Sequence, residues 1–244
     1  MKYFICMQLG RPFTNKVICC SNSVKKSIEK SFFMNNRETS VIYNCCNESS
    51  FTISKKNSLQ TKYLNKRLTI GMVGRLEGHK DQESLINAVE ILKKRGIKIN
   101  LLLIGDGSKR KYLEELSIQL RVNNQILFWG ASNDVNAALD KIDIFIFSTT
   151  EDEGFGIALV EAMIKKIPIV ASNVKACKEV LLNGKYGLLV KPNSGEAIAD
   201  GIEFIQNHTK ETFKKVDNAY KYSKNNFSKA IMSEKYLRDL DLII

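Results

Sequence analysis

Two glutamates, Glu153 and Glu161, stand eight positions apart in the stretch EDEGFGIALVEA (151–162). Ahead of them runs IDIFIFS (142–148), an apolar segment that reads as a buried strand. Between them lie Gly154, Phe155 and Gly156, and then a helix that starts near Ile157. Glycine permits backbone angles that other residues avoid, and it lets a ligand come close to the main chain. The free N–H groups of a helix's first turn, at the positive end of its dipole, form an anion site. The amides of Gly156, Ile157 and Ala158 are therefore expected to receive a phosphate. Glu151, Asp152 and Glu153 would repel a bare phosphate. A long ligand resolves the conflict, with its phosphates on the amides and a neutral, hydroxyl-rich part beside Glu153. A general acid–base pair for glycoside hydrolysis needs carboxyl groups roughly 5–9.5 Å apart. Eight residues at helical rise put these two about 12 Å apart, which gives them separate jobs. Glu161 would serve one end of the ligand and Glu153 the other. A carboxylate holding a vicinal diol is one way to bind a ribose.

Two further loops carry chemistry. GRLEGHKD (74–81) follows the apolar run LTIGMVG, whose last residue is Gly74. Arg75 and Lys80 lie just beyond that run, where a diphosphate would sit. Arginine clamps phosphate with two N–H groups, and lysine adds a point charge. IGDGSK (104–109) offers Gly105 and Gly107 as a GxG without the third glycine of the dinucleotide fingerprint. No acidic residue occupies the fingerprint's place relative to a first-strand glycine loop, so NAD is not expected.

These loops need elements to position them. From Leu68 onward, apolar runs alternate with helical patterns about six times. The strands read LTIGMVG, INLLLIG, ILFWG, IDIFIFS, IPIVAS and GLLV. The helices read DQESLINAVEILKKRG with an Asp start and a Gly stop, SKRKYLEELSIQL opened by Ser108, DVNAALDK, GIALVEAMIKK, KACKEVLLN and SGEAIADGIEFIQNH. Two more helices, KETFKKVDNAYKYSKN and SKAIMSEKYLRDLDLI, close the chain. Strands that are apolar throughout mark a parallel sheet covered on both faces, an α/β doubly wound domain. In such sheets ligands bind beyond the strands' carboxyl ends. The first 67 residues hold only a strand (VICCSNS), a helix (VKKSIEKSFF), a strand (TSVIYNCCN) and a basic linker. One strand–helix–strand unit cannot bury a core alone, so this piece is expected either to pack against something else or to be the remnant of a larger domain, a partial second α/β domain.

A chain of 244 residues with 44% hydrophobic and 26% charged residues is of globular type. Its net charge of +11 favours anionic partners. The lysines are spread without interleaved aromatic platforms, which argues against nucleic acid. No apolar run reaches the roughly 18 residues of a membrane span, and MKYFICM is too short for a signal-peptide core. A cytoplasmic location is expected. The six cysteines include two adjacent pairs and no CxxC, and His79 and His208 stand far apart, so no metal spacing emerges. Buried thiols in a reducing compartment are the expectation.

In order along the chain stand Gly74-Arg75 with Lys80, IGDGSKR, FWGASNDV, EDEGFGIALVEAM, PIVAS, KEVL and GLLVKPNS. This set resembles the carboxyl-terminal half of a retaining glycosyltransferase of the GT-B architecture, family 4 type (glycosyltransferase group 1). Glu153 and Glu161 match that family's E-x7-E motif. The resemblance implies a nucleotide-sugar-binding Rossmann-like domain over 68–226, preceded by a remnant of the acceptor domain and a linker over 1–67. It implies that residues 227–244 form a helix returning to the amino-terminal part. Arg75 and Lys80 would neutralise the leaving diphosphate, Glu161 would hold the ribose, and Glu153 with the backbone of Gly154–Gly156 would hold the donor sugar. The amides of Ile157 and Ala158 would touch phosphate, and backbone around Gly130 would border the base. The implied reaction is transfer with retention to an acceptor hydroxyl, in polysaccharide or glycolipid assembly, with no metal ion.

The departures are specific. Asn44 is followed by Cys45 where the family has glycine, and Lys175-Ala176 replace its Gly-Gly. Only the last part of the acceptor domain is recognisable. The rival readings are a donor-binding half that works with a separate amino-terminal chain, a non-catalytic remnant, and a nucleotide-sugar epimerase. The paired lysines Lys25-Lys26 and Lys55-Lys56 suggest peripheral docking on anionic lipid at the inner membrane face, where lipid-linked acceptors reside.

Overall fold

The computed structural model describes residues 14, 16–32, 39–46 and 67–240. The first piece holds β1 (Val17–Cys19), α1 (Asn22–Phe32) and β2 (Thr39–Val41). β1 and β2 pair in parallel as a two-stranded sheet. TSVIYNCCN is a strand only over its first three residues. Beyond Val41 the backbone finds other partners: Ile42 N–H donates to Cys19 and Cys46 N–H to Phe227. The basic linker, with Lys55-Lys56, lies outside the described residues.

The main body is a six-stranded sheet of β3 (Leu68–Val73), β4 (Ile99–Ile104), β5 (Ile126–Gly130), β6 (Ile144–Phe147), β7 (Ile169–Ser172) and β8 (Leu188–Val190). The order is β5-β4-β3-β6-β7-β8, and every pairing is parallel. The helices between them are α2 (Gln82–Lys94), α3 (Arg110–Gln119), α4 (Val135–Leu139), α5 (Ile157–Ile164) and α6 (Lys175–Val180). After β8 come α7 (Gly195–Asn207), α8 (Thr209–Asn226) and α9 (Lys229–Asp239).

Successive strand residues point to opposite faces, and β6 shows the consequence. Ile144 and Ile146 join a core with Leu85, Val89, Ile198 and Ile202 of α2 and α7. Phe145 and Phe147 join the other core, with Leu159 and Met163 of α5. All four β6 residues are buried, so no alternation of polarity is visible along it. The strand order reverses between β3 and β6. At such a switch point the two neighbouring loops leave in opposite directions and open a crevice at the carboxyl ends.

The caps follow the sequence in most places. Asp81 accepts from Ser84 N–H at the start of α2. Gly96, with φ of 77°, ends it. Ser194 and Ser228 cap α7 and α9. Ser108 does not open α3. Its hydroxyl donates to Glu77 (2.8 Å), its N–H does the same (3.2 Å), and the helix begins after Lys109. A carboxylate on the neighbouring loop has captured the serine that would otherwise cap.

The first piece does not stand alone. Tyr43, Phe155 and Phe227 form an aromatic cluster with centroids 5.5–5.7 Å apart. Asp239 of α9 is bonded by Lys16 and Ser40. Among the described residues no helix is long and apolar enough to cross a membrane. Cys19, Cys46 and Cys177 are buried, Cys20 and Cys45 are partly exposed, and none of these five is in a disulfide among the described residues.

Candidate functional site

Three glycines mark the carboxyl ends of β3, β4 and β5. Gly74 N–H donates to Ile104 (2.9 Å), and Gly105 N–H donates to Gly130 (2.8 Å). Gly105 has φ of 138°, and a Cβ there would sit 2.0 Å from the Gly74 carbonyl oxygen. Only glycine lets these strand ends come side by side. A floor of bare backbone results.

The loop after β3 crosses to the loop after β6. His79 carbonyl accepts from Thr149 Oγ1 and from Thr150 N–H, both at 2.9 Å. Lys80 carbonyl accepts from Ser148 Oγ at 3.2 Å. Three hydrogen bonds thus span the switch point and fix where Lys80 begins. Its stem passes over Gly74, and its ammonium lies 5.0 Å from the centre of the Phe147 ring. There it forms an ion pair with Glu153. Both side chains are mostly buried, 14% and 11% exposed, so solvent screens the pair less than a surface bridge. Glu153 also accepts from Gly154 N–H (3.1 Å) and Phe155 N–H (3.4 Å), which closes its own loop. Thr150 Oγ1 is buried nearby in sequence and has no hydrogen-bond partner among the described residues.

Gly156 caps α5 with φ of 85°, and a Cβ there would meet the Phe147 ring at 3.1 Å. The start of α5 and the Lys80 ammonium therefore share one aromatic ring. The N–H groups of Ile157 and Ala158 are the first of this helix, and an α-helix leaves such groups without internal acceptors. Ile157 is exposed and Ala158 buried. Farther along α5, the half-buried Glu161 carboxyl has no hydrogen bond or ion pair among the described residues. Burial pushes its pKa above the ordinary value.

Several site expectations change in detail. Gly154 has no positive φ. It instead presents its carbonyl to Ser21 Oγ at 2.6 Å. Phe155 is 3% exposed and belongs to the aromatic core, so only its main chain is available to a ligand. Of the two expected cations, Lys80 is brought over the Phe147 ring that the start of α5 also meets. The exposed Arg75 guanidinium makes no hydrogen bond or ion pair among the described residues, and the Arg75 carbonyl accepts from Gln82 (2.8 Å). The acidic cluster is also less repulsive than its composition implied, because Glu153 is paired with Lys80 and Glu151 accepts from Lys175 N–H.

Ser21, which reasoning from sequence missed, holds this loop from outside the sheet, and Glu179 holds the start of α1. Ser21 is fully buried, accepts from Val24 N–H (3.2 Å) and donates to Gly154. Its place just before α1 is a capping signal, but its contact with Gly154 depends on tertiary structure. Glu179 accepts from Asn22 N–H (2.7 Å), Asn22 Nδ2 (2.7 Å) and Ser23 N–H (3.2 Å), an anion on the amino terminus of α1.

The chain resembles known proteins along most of its length. It is 28% identical over 226 residues to the capsular polysaccharide biosynthesis glycosyltransferase CapM of Staphylococcus aureus, covering 90% of this chain and 59% of that one. It is 32% identical over 235 residues to an uncharacterized glycosyltransferase of Methanocaldococcus jannaschii, covering 88% and 58%. The chain thus spans under two thirds of these relatives' length. Among solved structures, HepE of Anabaena in complex with UDP-glucose superposes with a TM-score of 0.87 at 23% identity, covering 98% of this chain and 67% of that one. That likeness shows the fold. The model of the family "Glycosyl transferases group 1" matches residues 54–225, more than half of the chain, and the chain belongs to this family.

Proposed function

We propose that this chain binds a nucleotide-sugar donor at the β3–β6 switch point and takes part in moving the sugar to an acceptor hydroxyl with retention. The observation that carries this reading is the meeting of Lys80 and Glu153 against the start of α5, with the unpartnered Glu161 farther along the same helix. A paired cation and carboxylate, then helix amides, then a second carboxylate suit a ligand with a diphosphate centre and hydroxyl-bearing ends. The name of CapM and the UDP-glucose bound to HepE point the same way, toward a diphosphate-linked sugar and polysaccharide assembly.

The residues divide the work as follows. Lysine has three N–H donors. Glu153 takes one on Lys80 and leaves two for the diphosphate. The amides of Ile157 and Ala158 take further phosphate oxygens, and Arg75 closes on the diphosphate from its exposed position. Glu161 accepts from the ribose hydroxyls. Glu153, already held by the Gly154 and Phe155 amides, accepts from sugar hydroxyls. The glycine floor at Gly105 and Gly130 borders the base. As the glycosidic bond breaks, charge develops on the departing diphosphate, and Lys80 and Arg75 stabilise it by a few kcal/mol each. The acceptor hydroxyl attacks from the same face, and its proton passes to the departing phosphate. No protein base is required, and Lys80, Arg75 and Glu153 keep their charges.

A thermal-shift panel of UDP, GDP and ADP, each with and without its glucose, tests the reading. One nucleoside diphosphate raises the melting temperature, and its sugar conjugate raises it further. No shift with any member of the panel contradicts it.

A further inference from the structure

Between α1 and α6 lies a cavity of about 360 Å³. It falls within the roughly 300–1,000 Å³ range of small-molecule sites. Lys26 of α1 lines it from one side, and Lys175 and Lys178 of α6 from the other. All three are exposed, and their ammonium groups make no ion pair among the described residues. Glu179 is the carboxylate in the wall, and it is engaged by the amides of Asn22 and Ser23 and by the Asn22 side chain. Its hydrogen bonds therefore go to the amino terminus of α1 and not to the lysines. Tyr43 and Tyr222 add aromatic surface to the same wall. Burial and the neighbouring Glu179 push the Tyr43 pKa up, so its hydroxyl stays protonated. None of Lys80, Glu153 or Glu161 lines this cavity.

Three like charges line it from two elements far apart in the sequence. They repel one another unless an anion lies between them. We propose that this cavity is a second anion site, separate from the donor crevice. It takes a phosphate ester whose phosphate lies among Lys26, Lys175 and Lys178 and whose organic part lies on Tyr43 and Tyr222. A soluble ester and a phospholipid headgroup share this chemistry.

Calorimetry with glycerol 3-phosphate tests the site in the wild type, in Lys26→Ala/Lys178→Ala, and in Lys80→Ala. Saturable binding is expected in the wild type and in Lys80→Ala, with affinity lowered about tenfold or more in the lysine pair. Both substituted lysines are exposed, so a matching melting curve shows that the pair still folds. In parallel, the wild type and the pair are sedimented with phosphatidylcholine vesicles containing phosphatidic acid. Loss confined to the vesicle arm identifies a lipid headgroup, and loss confined to glycerol 3-phosphate identifies a soluble ester. Binding that is unchanged in the lysine pair in both arms overturns the proposal, as does no binding in either arm. Binding lost in Lys80→Ala but kept in the pair places the ester in the donor crevice, which overturns this site and leaves the donor reading standing.

Discussion

Lys80 and Glu153 are separated by 73 positions and meet in a half-shielded crevice. Removing one partner leaves the other with an uncompensated charge, so single variants mix binding effects with stability effects. Lys80→Ala is expected to weaken nucleoside-diphosphate binding by about 1.5–3 kcal/mol, the usual range for a hydrogen bond to a charged group. It should also lower the melting temperature. The double variant Lys80→Ala/Glu153→Gln is expected to recover much of the melting temperature and none of the affinity, which calorimetry and a melting curve separate. Glu161 tests the opposite sign. Burial raises its folded-state pKa above the ordinary 4.5. The folded state then binds more protons than the unfolded state, so this group's stability contribution is full below 4.5 and is lost as pH rises through the raised pKa. Glu161→Gln should therefore melt above the wild type near neutral pH, with the gap closing below pH 4.5; a constant gap would refute the burial effect. At this scale the glutamates were legible because their spacing and helix onset are local. The Lys80–Glu153 bond was not, since it depends on β3 and β6 being neighbours.

The element scale explains why the strands were easy to read and some of their ends were not. β4 and β6 are buried on both faces, and their apolar runs say so directly. Asp81 and Gly96 mark the two ends of α2 in sequence and in structure. Ser108 misled because a serine before a helical pattern reads as a cap, whereas Glu77 on another loop competes for it. The glycines divide in the same way. Gly156 adopts an angle that other residues avoid, whereas Gly154 does not and offers its carbonyl to Ser21 instead. Two substitutions test the glycine geometry. Gly105→Ala should cost about 3 kcal/mol or more, since the new methyl would meet backbone that cannot step aside. Gly156→Ala should cost about 1–3 kcal/mol through its backbone angle. Denaturant melts measure both, and a Gly105→Ala loss smaller than that of Gly156→Ala would contradict the close approach of β3 and β4.

On the scale of the whole molecule, polar contacts and one aromatic cluster tie the first piece to the rest of the described residues. Ser21 holds Gly154, Glu179 holds the start of α1, and Tyr43 packs with Phe155 and Phe227. The sequence indicated that one strand–helix–strand unit needs a partner but did not say which surface receives it. Glu179→Ala should speed hydrogen exchange of the α1 amides while leaving β4 and β6 protected, because it frees only the helix terminus. Uniform exchange in both regions would show the two pieces opening as one.

The arrangement of a cationic end and a carboxylate end along one crevice is tested most directly by calorimetry with two ligands, a nucleoside diphosphate and inorganic diphosphate, on Lys80→Ala and Glu161→Ala. Lys80→Ala should lose affinity for both ligands. Glu161→Ala should lose affinity for the nucleoside diphosphate and keep it for inorganic diphosphate. Equal losses in the two variants, or affinities that neither substitution changes, would contradict the assignment of this crevice to a nucleotide-sugar.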